Sequence, residues 1–169
     1  MTTSRRNTGL LVAIFLTAFA LAQPADAARR SGGSRVQRAA IVDSGTSLSA
    51  PHVLAALDGL GIPRDAVDWL FLTHVHLDHA GGAGALLREL PRAQAVLHPR
   101  GAAHLVDPSV LVAATIGVYG EATYRRLYGE IVPIDAARIV VTRDGQCLEL
   151  AGRPSDFPHT PGHALHHQA

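Results

Sequence analysis

A short apolar run, Trp69-Leu70-Phe71-Leu72, passes directly into Thr73-His74-Val75-His76-Leu77-Asp78-His79-Ala80-Gly81-Gly82. Three imidazoles and a carboxylate stand within six residues, His74 to His79. Core packing is a poor account of such a cluster, because buried polar groups need partners. Imidazole nitrogen and carboxylate oxygen are the ligands that zinc and similar borderline metals take. Ligands placed where a strand stops can converge, since a sheet fixes the backbone that carries them. His74 and His76 are two apart, so an extended segment points both the same way. Asp78 and His79 follow at the turn into a helix. The spacing lets two histidines hold one metal while Asp78 and His79 lean toward a second. A metal held this way lowers the pKa of bound water from near 16 to about 7. The helix N-terminus behind it adds a modest positive potential. Asp78 is the candidate catalytic residue, orienting that water by a hydrogen bond; a role as helix N-cap is compatible with ligation.

The rest of the chain reads as strands alternating with helices. Ala39–Val42 is a short buried strand ending at Asp43-Ser44-Gly45. Ser49 caps a helix with Pro51 in its first turn. Val53, Leu54, Leu57 and Leu60 give it an apolar face, and Gly59 and Gly61 stop it. Asp68 to Thr73 forms the next strand, Gly81 to Leu90 a helix, and Ala93 to Leu97 a third strand closed by His98-Pro99. Asp107-Pro108 starts a long helical stretch with breaks at Gly117 and Gly120. Ile139–Thr142 and Gln146–Leu150 flank Arg143-Asp144-Gly145, a hairpin signal. The lone cysteine, Cys147, excludes an intrachain disulfide and reads as a small buried residue. Tyr119, Tyr124 and Tyr128 read first as helix packing and second as a pocket lining. His52, His98 and His104 read as structural or exposed.

Residues 1–27 read as a secretory signal peptide: Arg5 and Arg6, an apolar run from Leu10 to Ala22, and the Ala25-Asp26-Ala27 cleavage pattern. The apolar run is short for a membrane span. The chain is thus expected in the periplasm or outside the cell if the leader is genuine, and in the cytoplasm otherwise. Residues 28–38 read as a flexible Arg/Ser/Gly-rich linker, and 39–169 as the folded part. A net charge of +1 over 169 residues gives no pull toward nucleic acid.

A second cluster, His159-Thr160-Pro161-Gly162-His163-Ala164-Leu165-His166-His167-Gln168, lies near the end of the sequence. Pro161-Gly162 turns the chain tightly enough to present His163 inward. Together His-x-His-x-Asp-His, Thr-Pro-Gly-His and the Asp43-Ser44-Gly45 strand end resemble, in order, the motifs of the metallo-β-lactamase superfamily. The resemblance covers Ala39 to Gln168 and implies an α/β fold of the αββα sandwich type, two mixed sheets between helices. It implies His74, His76 and His163 on a first metal, and Asp78 and His79 on a second. It implies one or two Zn2+ ions, with iron or manganese also compatible. The implied activity is hydrolysis of an ester, thioester, lactone or amide carbonyl of a small-molecule substrate by a metal-bound hydroxide. The Thr-Pro-Gly-His segment looks more like glyoxalase II-type thioesterases, lactonases and β-lactamases than like the RNA-processing nucleases of the same fold.

In that family a bridging Asp and a final His follow beyond the position of Ala169, and more strands precede Asp43. The resemblance therefore implies the N-terminal part of a larger domain, with an incomplete second half. Two alternatives stand beside the hydrolase: a non-catalytic metal-binding fragment lacking the later ligands, and a nuclease of the same fold.

Overall fold

The structure is a computed structural model that describes residues 10–12 and 38–169. Apart from Leu10–Val12 and Arg38, the expected leader (1–27) and linker (28–38) lie outside the described residues.

Five strands form one parallel sheet in sequential order: β1 (Leu10–Val12), β2 (Ala39–Val42), β3 (Val67–Phe71), β4 (Gln94–Leu97) and β5 (Ile139–Val141). Parallel neighbours need crossovers, and helices supply them. Helix α1 (Ala50–Gly59) joins β2 to β3, and α2 (Leu77–Ala80) with α3 (Ala83–Glu89) joins β3 to β4. Helices α4 (Pro99–Val106), α5 (Ser109–Tyr119) and α6 (Glu121–Tyr128) join β4 to β5.

Alternation along the strands divides the core between the two faces of the sheet. Ile41, Leu70 and Leu97 face the helices and pack with Val53 and Leu57 of α1 and Leu86 and Leu87 of α3. Ala40, Phe71 and Val96 face the other way, onto Leu150 and Phe157. Those two residues belong to an antiparallel pair, β6 (Gln146–Leu150) and β7 (Arg153–Phe157). Phe157 meets Phe71 edge-on at 4.9 Å between ring centroids, and Trp69 Nε1 donates to Glu149 O at 3.0 Å. The layers run helices, parallel sheet, antiparallel pair. This is the expected α/β sandwich as far as the described residues reach, with a second sheet of two strands.

The hairpin is not where the turn signal put it. β5 pairs with β4 in the parallel sheet, and β6 pairs with β7. Arg143-Asp144-Gly145 does reverse the chain, but it hands it from one sheet to the other. The true hairpin turn is Ala151-Gly152, both at positive φ (51° and 82°), the backbone that matches strand twist. Cys147 is exposed rather than buried, because inward positions of β6 fall to Leu148 and Leu150 and outward ones to Cys147 and Glu149. The helix after the cluster starts at Ala83, and Leu77–Ala80 forms a separate single turn. Ser49 makes no side-chain cap, whereas Asp107 Oδ1 accepts from Ser109 N at 3.0 Å as expected. Gly117 does not break α5; Gly120, at φ 76°, does.

Arg138 ties this framework behind the site. Its guanidinium donates to Leu87 O at 2.6 Å, to Leu90 O at 2.5 Å and to Ala93 O. A cation on the last carbonyls of α3 is favourable for the helix dipole as well as for hydrogen bonding. On its other side α3 lies so close to the 132 segment that a Cβ on Gly84 would sit 2.0 Å from Val132 O. Backbone cannot yield as a side-chain tip can. Gly84→Ala is therefore expected to destabilise the protein by about 3 kcal/mol or more, read as a lowered midpoint in urea unfolding.

Candidate metal centre

Every polar group of the site lies off the carboxyl end of a parallel strand, where open α/β sheets place their ligands. β2 delivers Asp43 and Ser44, β3 delivers Thr73 and His74, β4 delivers His98, and β5 delivers Thr142. The last segment folds back over these ends. Gln168, 1% exposed, donates Nε2 to Leu72 O at 3.0 Å and accepts from Thr142 Oγ1 at 2.5 Å. Gln168 N also donates to Thr73 O at 2.8 Å. That anchorage carries the 159–168 loop across the site and brings His163 over the β3 end.

His74, His76 and His163 converge: one ligand atom from each lies within 4.8 Å of the others. His76 Nδ1 and His163 Nε2 are 3.2 Å apart. Two nitrogens about 2.05 Å from a tetrahedral zinc stand about 3.3 Å apart, so the spacing suits such an ion. His74 is the buried member at 2% exposure, and its Nε2 has no hydrogen-bond partner. A buried polar atom left bare is costly and calls for an explanation.

The surrounding network fixes which nitrogen is bare. Asp43 Oδ1 accepts from Thr73 N at 2.8 Å, and its carboxylate also accepts from Thr73 Oγ1 at 2.9 and 3.1 Å. With its proton given to Asp43, Thr73 Oγ1 can only accept from His74 Nδ1, 3.0 Å away. His74 Nε2 therefore carries a lone pair, the form a metal takes. Asp43 Oδ2 also accepts from His79 Nδ1 at 2.7 Å, which leaves His79 Nε2 bare, 3.6 Å from Asp78 Oδ2. One carboxylate thus orients two histidines. Asp43 holds φ 55°, a left-handed conformation that Asp tolerates better than most residues.

The structure brings together three of the five sequence-derived ligands and sets the other two beside them. The His79 ring lies 4.0 Å from that of His74, while Asp78 is the more exposed of its pair at 65%. The single turn that carries Asp78 and His79 is only four residues long, too short for a substantial helix dipole, so the expected N-terminal potential is small. Asp78 lies in the first turn of α2, and its N-cap position is held by His76.

Sequence reasoning passed over several partners. Thr73 precedes the motif and had no distinguishing mark. His166 Nδ1 accepts from Val75 N at 3.3 Å, and the His167 ring lies 5.3 Å from that of His74. His98 and His159 form a second pair, with ring centroids 4.1 Å apart. Tyr124 packs in the interior as expected, but Tyr119 and Tyr128 border the cleft that contains His76 and His163.

Burial favours the neutral form of His74, His76 and His166. Loss of hydration, reinforced by neighbouring imidazoles (His79 foremost), pushes His74 down to about 3. Burial, with His163 next, lowers His76; burial, with His76 next, lowers His166. Neutral imidazole is the ligating form, so His74 and His76 are ready to ligate at neutral pH. The unfolded chain binds more protons than the folded one between pH 6.5 and about 3. Stability of the metal-free protein therefore falls as pH drops through that window, with His74 costing up to about 1.4 kcal/mol per pH unit. Urea midpoints that stay level from pH 7 to 5 would contradict the burial of a neutral His74.

Solved structures share this architecture. A subclass B3 metallo-β-lactamase described as the first with an active-site glutamic acid is 26% identical, with a TM-score of 0.58, over 76% of this chain and 44% of its own. The subclass B3 enzyme MEM-A1, isolated from a soil metagenome library, is 24% identical with a TM-score of 0.59, over 80% of this chain and 47% of its own. A metallo-β-lactamase of Cronobacter sakazakii with an HARLDQ motif is 22% identical with a TM-score of 0.58, over 78% of this chain and 46% of its own. The chain thus spans less than half the length of these proteins. No curated protein matches it. The family profile described as the metallo-beta-lactamase superfamily matches residues 35–168, nearly all of the described chain. With three histidines converging at the strand ends and that match running through them, the chain belongs to the metallo-β-lactamase superfamily.

Proposed function

We propose that this protein is a zinc-dependent hydrolase acting on an ester, thioester, lactone or amide carbonyl of a small molecule. The observation that carries the reading is the convergence of His74, His76 and His163 within 4.8 Å, with the buried His74 Nε2 bare. When bound there, a divalent ion supplies Lewis acidity and lowers the pKa of water. His74, His76 and His163 would hold it, with Asp78 and His79 beside them for a second ion. Asp43 fixes the tautomers of His74 (through Thr73) and His79 so that lone pairs face the site. Asp78, exposed at the rim, is the group free to accept a proton from an attacking water and to orient it.

Thr160-Pro161-Gly162-His163 suits glyoxalase II-type thioesterases, lactonases and β-lactamases alike, and the structural likeness runs to subclass B3 β-lactamases. A substrate panel decides between them. The purified chain is loaded with zinc and offered a thioester, a lactone, an aryl ester and a β-lactam, with and without chelator. Chelator-sensitive turnover of one class is the expected result. A chain that neither binds metal nor turns over any of the four substrates would overturn the proposal.

A second reading is metal binding without turnover, since the converging histidines show a place for an ion and not a reaction. Stoichiometric zinc with no hydrolysis on any of the four substrates selects it. A nucleic-acid substrate has no support in the net charge of +1. Among the described residues no single helix is long and apolar enough to cross a membrane.

A further inference from the structure

The helices of the β4–β5 crossover include one of unusual composition for its position. α5 reads Ser-Val-Leu-Val-Ala-Ala-Thr-Ile-Gly-Val-Tyr: no charge in eleven residues, and none of them buried. A surface helix normally presents a polar face. One side of α5 rests on Leu77, Tyr124 and Ile131 through Leu111, Val112 and Ile116. From that side Leu111 and Tyr119, with Leu77 and Tyr128, wall a cavity of about 350 Å³ that has His76 and His163 in its lining. The rings of Tyr119 and Tyr128 stand 6.1 Å apart, and Tyr119, 50% exposed, forms the rim.

The charge of the lining decides what the cavity can take. It contains no Arg, and its one carboxylate is Asp78. An anionic substituent would find repulsion and no partner. An apolar group would cover Leu111 and the two tyrosine faces. A volume of 350 Å³ suits on the order of ten heavy atoms at about 30 Å³ each.

Resting on the hydrolase reading of this same site, we infer that the cavity is the acyl pocket and that the substrate carries an uncharged alkyl chain of medium length beside the scissile carbonyl. The carbonyl lies at His76 and His163, and the chain runs along Leu111 toward Tyr119. This narrows the substrate class to acyl esters, thioesters or lactones with an aliphatic tail.

The test measures binding, so that it does not depend on turnover. Butyrate, hexanoate, octanoate and decanoate are titrated calorimetrically into the zinc-loaded chain. A fully buried methylene is worth about fourfold in affinity, so a half-open cleft is expected to give about twofold per carbon. Tyr119→Ser, at a half-exposed position, should weaken decanoate at least threefold while the urea midpoint confirms a folded protein. Val118→Ser, 75% exposed on α5 and outside the lining, should leave decanoate affinity unchanged. Affinity that is flat across the four acids overturns the inference, as does Tyr119→Ser binding decanoate like the wild type. Equal losses in both variants, with a change in oligomeric state, would make α5 a contact between copies and overturn it too. Chain-length dependence without hydrolysis of any ester sinks the hydrolase reading alone. Hydrolysis of an acetyl ester with no chain-length dependence sinks the acyl pocket alone.

Discussion

His163→Ala is expected to weaken zinc binding by more than 100-fold and to abolish hydrolysis, with the fold intact. Loss of a group that merely orients a metal ligand costs 10- to 100-fold in affinity, so loss of a ligand costs more. A factor of 100 is about 2.7 kcal/mol. The position is informative because it separates chemistry from packing. His163 is exposed, on a loop held by Gln168 and by the backbone bond from Thr160 N to His167 O at 3.0 Å. Its imidazole supports no core residue, so circular dichroism and the urea midpoint of the metal-free variant should match the wild type. His74→Ala would not give so clean an answer, since it opens a void at a site 2% exposed and strips Thr73 of a partner. Equilibrium dialysis against zinc reads the affinity. Zinc bound by His163→Ala as tightly as by the wild type would remove the trio as a metal site, and the hydrolase reading with it.

Much of this site was legible because its members are close in sequence or carry a turn of their own. His74 and His76 share an extended segment, and the structure joins them, with ring centroids 4.7 Å apart. Pro161-Gly162 marked the turn that delivers His163. The strands Ala39–Val42 and Gln94–Leu97 were legible as apolar runs bounded by polar or turn residues. What local pattern could not supply was pairing over distance. Ile139–Val141 is apolar and precedes a turn, and nothing local says that its partner is β4 rather than β6. Asp43 was visible as the end of a strand, but its contact with His79 spans 36 residues and appears only when β2 and β3 lie side by side. The pairing of His98 with His159 depends likewise on β4 ending beneath the returning loop.

That long-range contact makes the second strong prediction. Asp43→Asn changes one atom and keeps the shape, and Asn accepts the left-handed backbone at φ 55° as well as Asp does. The amide nevertheless cannot do what the carboxylate does. Asp43 accepts from Thr73 N, Thr73 Oγ1 and His79 Nδ1 together. Asn has a single acceptor oxygen. If that oxygen faces Thr73 N, its NH2 group meets His79 Nδ1–H, two donors opposed. Relief requires His79 to move its proton to Nε2, and the lone pair then points at the substituted amide and away from the site. The expected outcome is a loss of 10- to 100-fold in metal affinity, together with a loss of about 1.5–3 kcal/mol in stability from the charged hydrogen bonds. The nitrogen-15 shifts of His79 report the tautomer directly, without reference to activity. Asp43→Ala, which removes the acceptor altogether, should be worse in both respects and add backbone strain at the positive φ. An Asp43→Asn protein with wild-type zinc affinity and an unchanged His79 tautomer would show that the carboxylate supports the strand end and leaves the metal ligands alone.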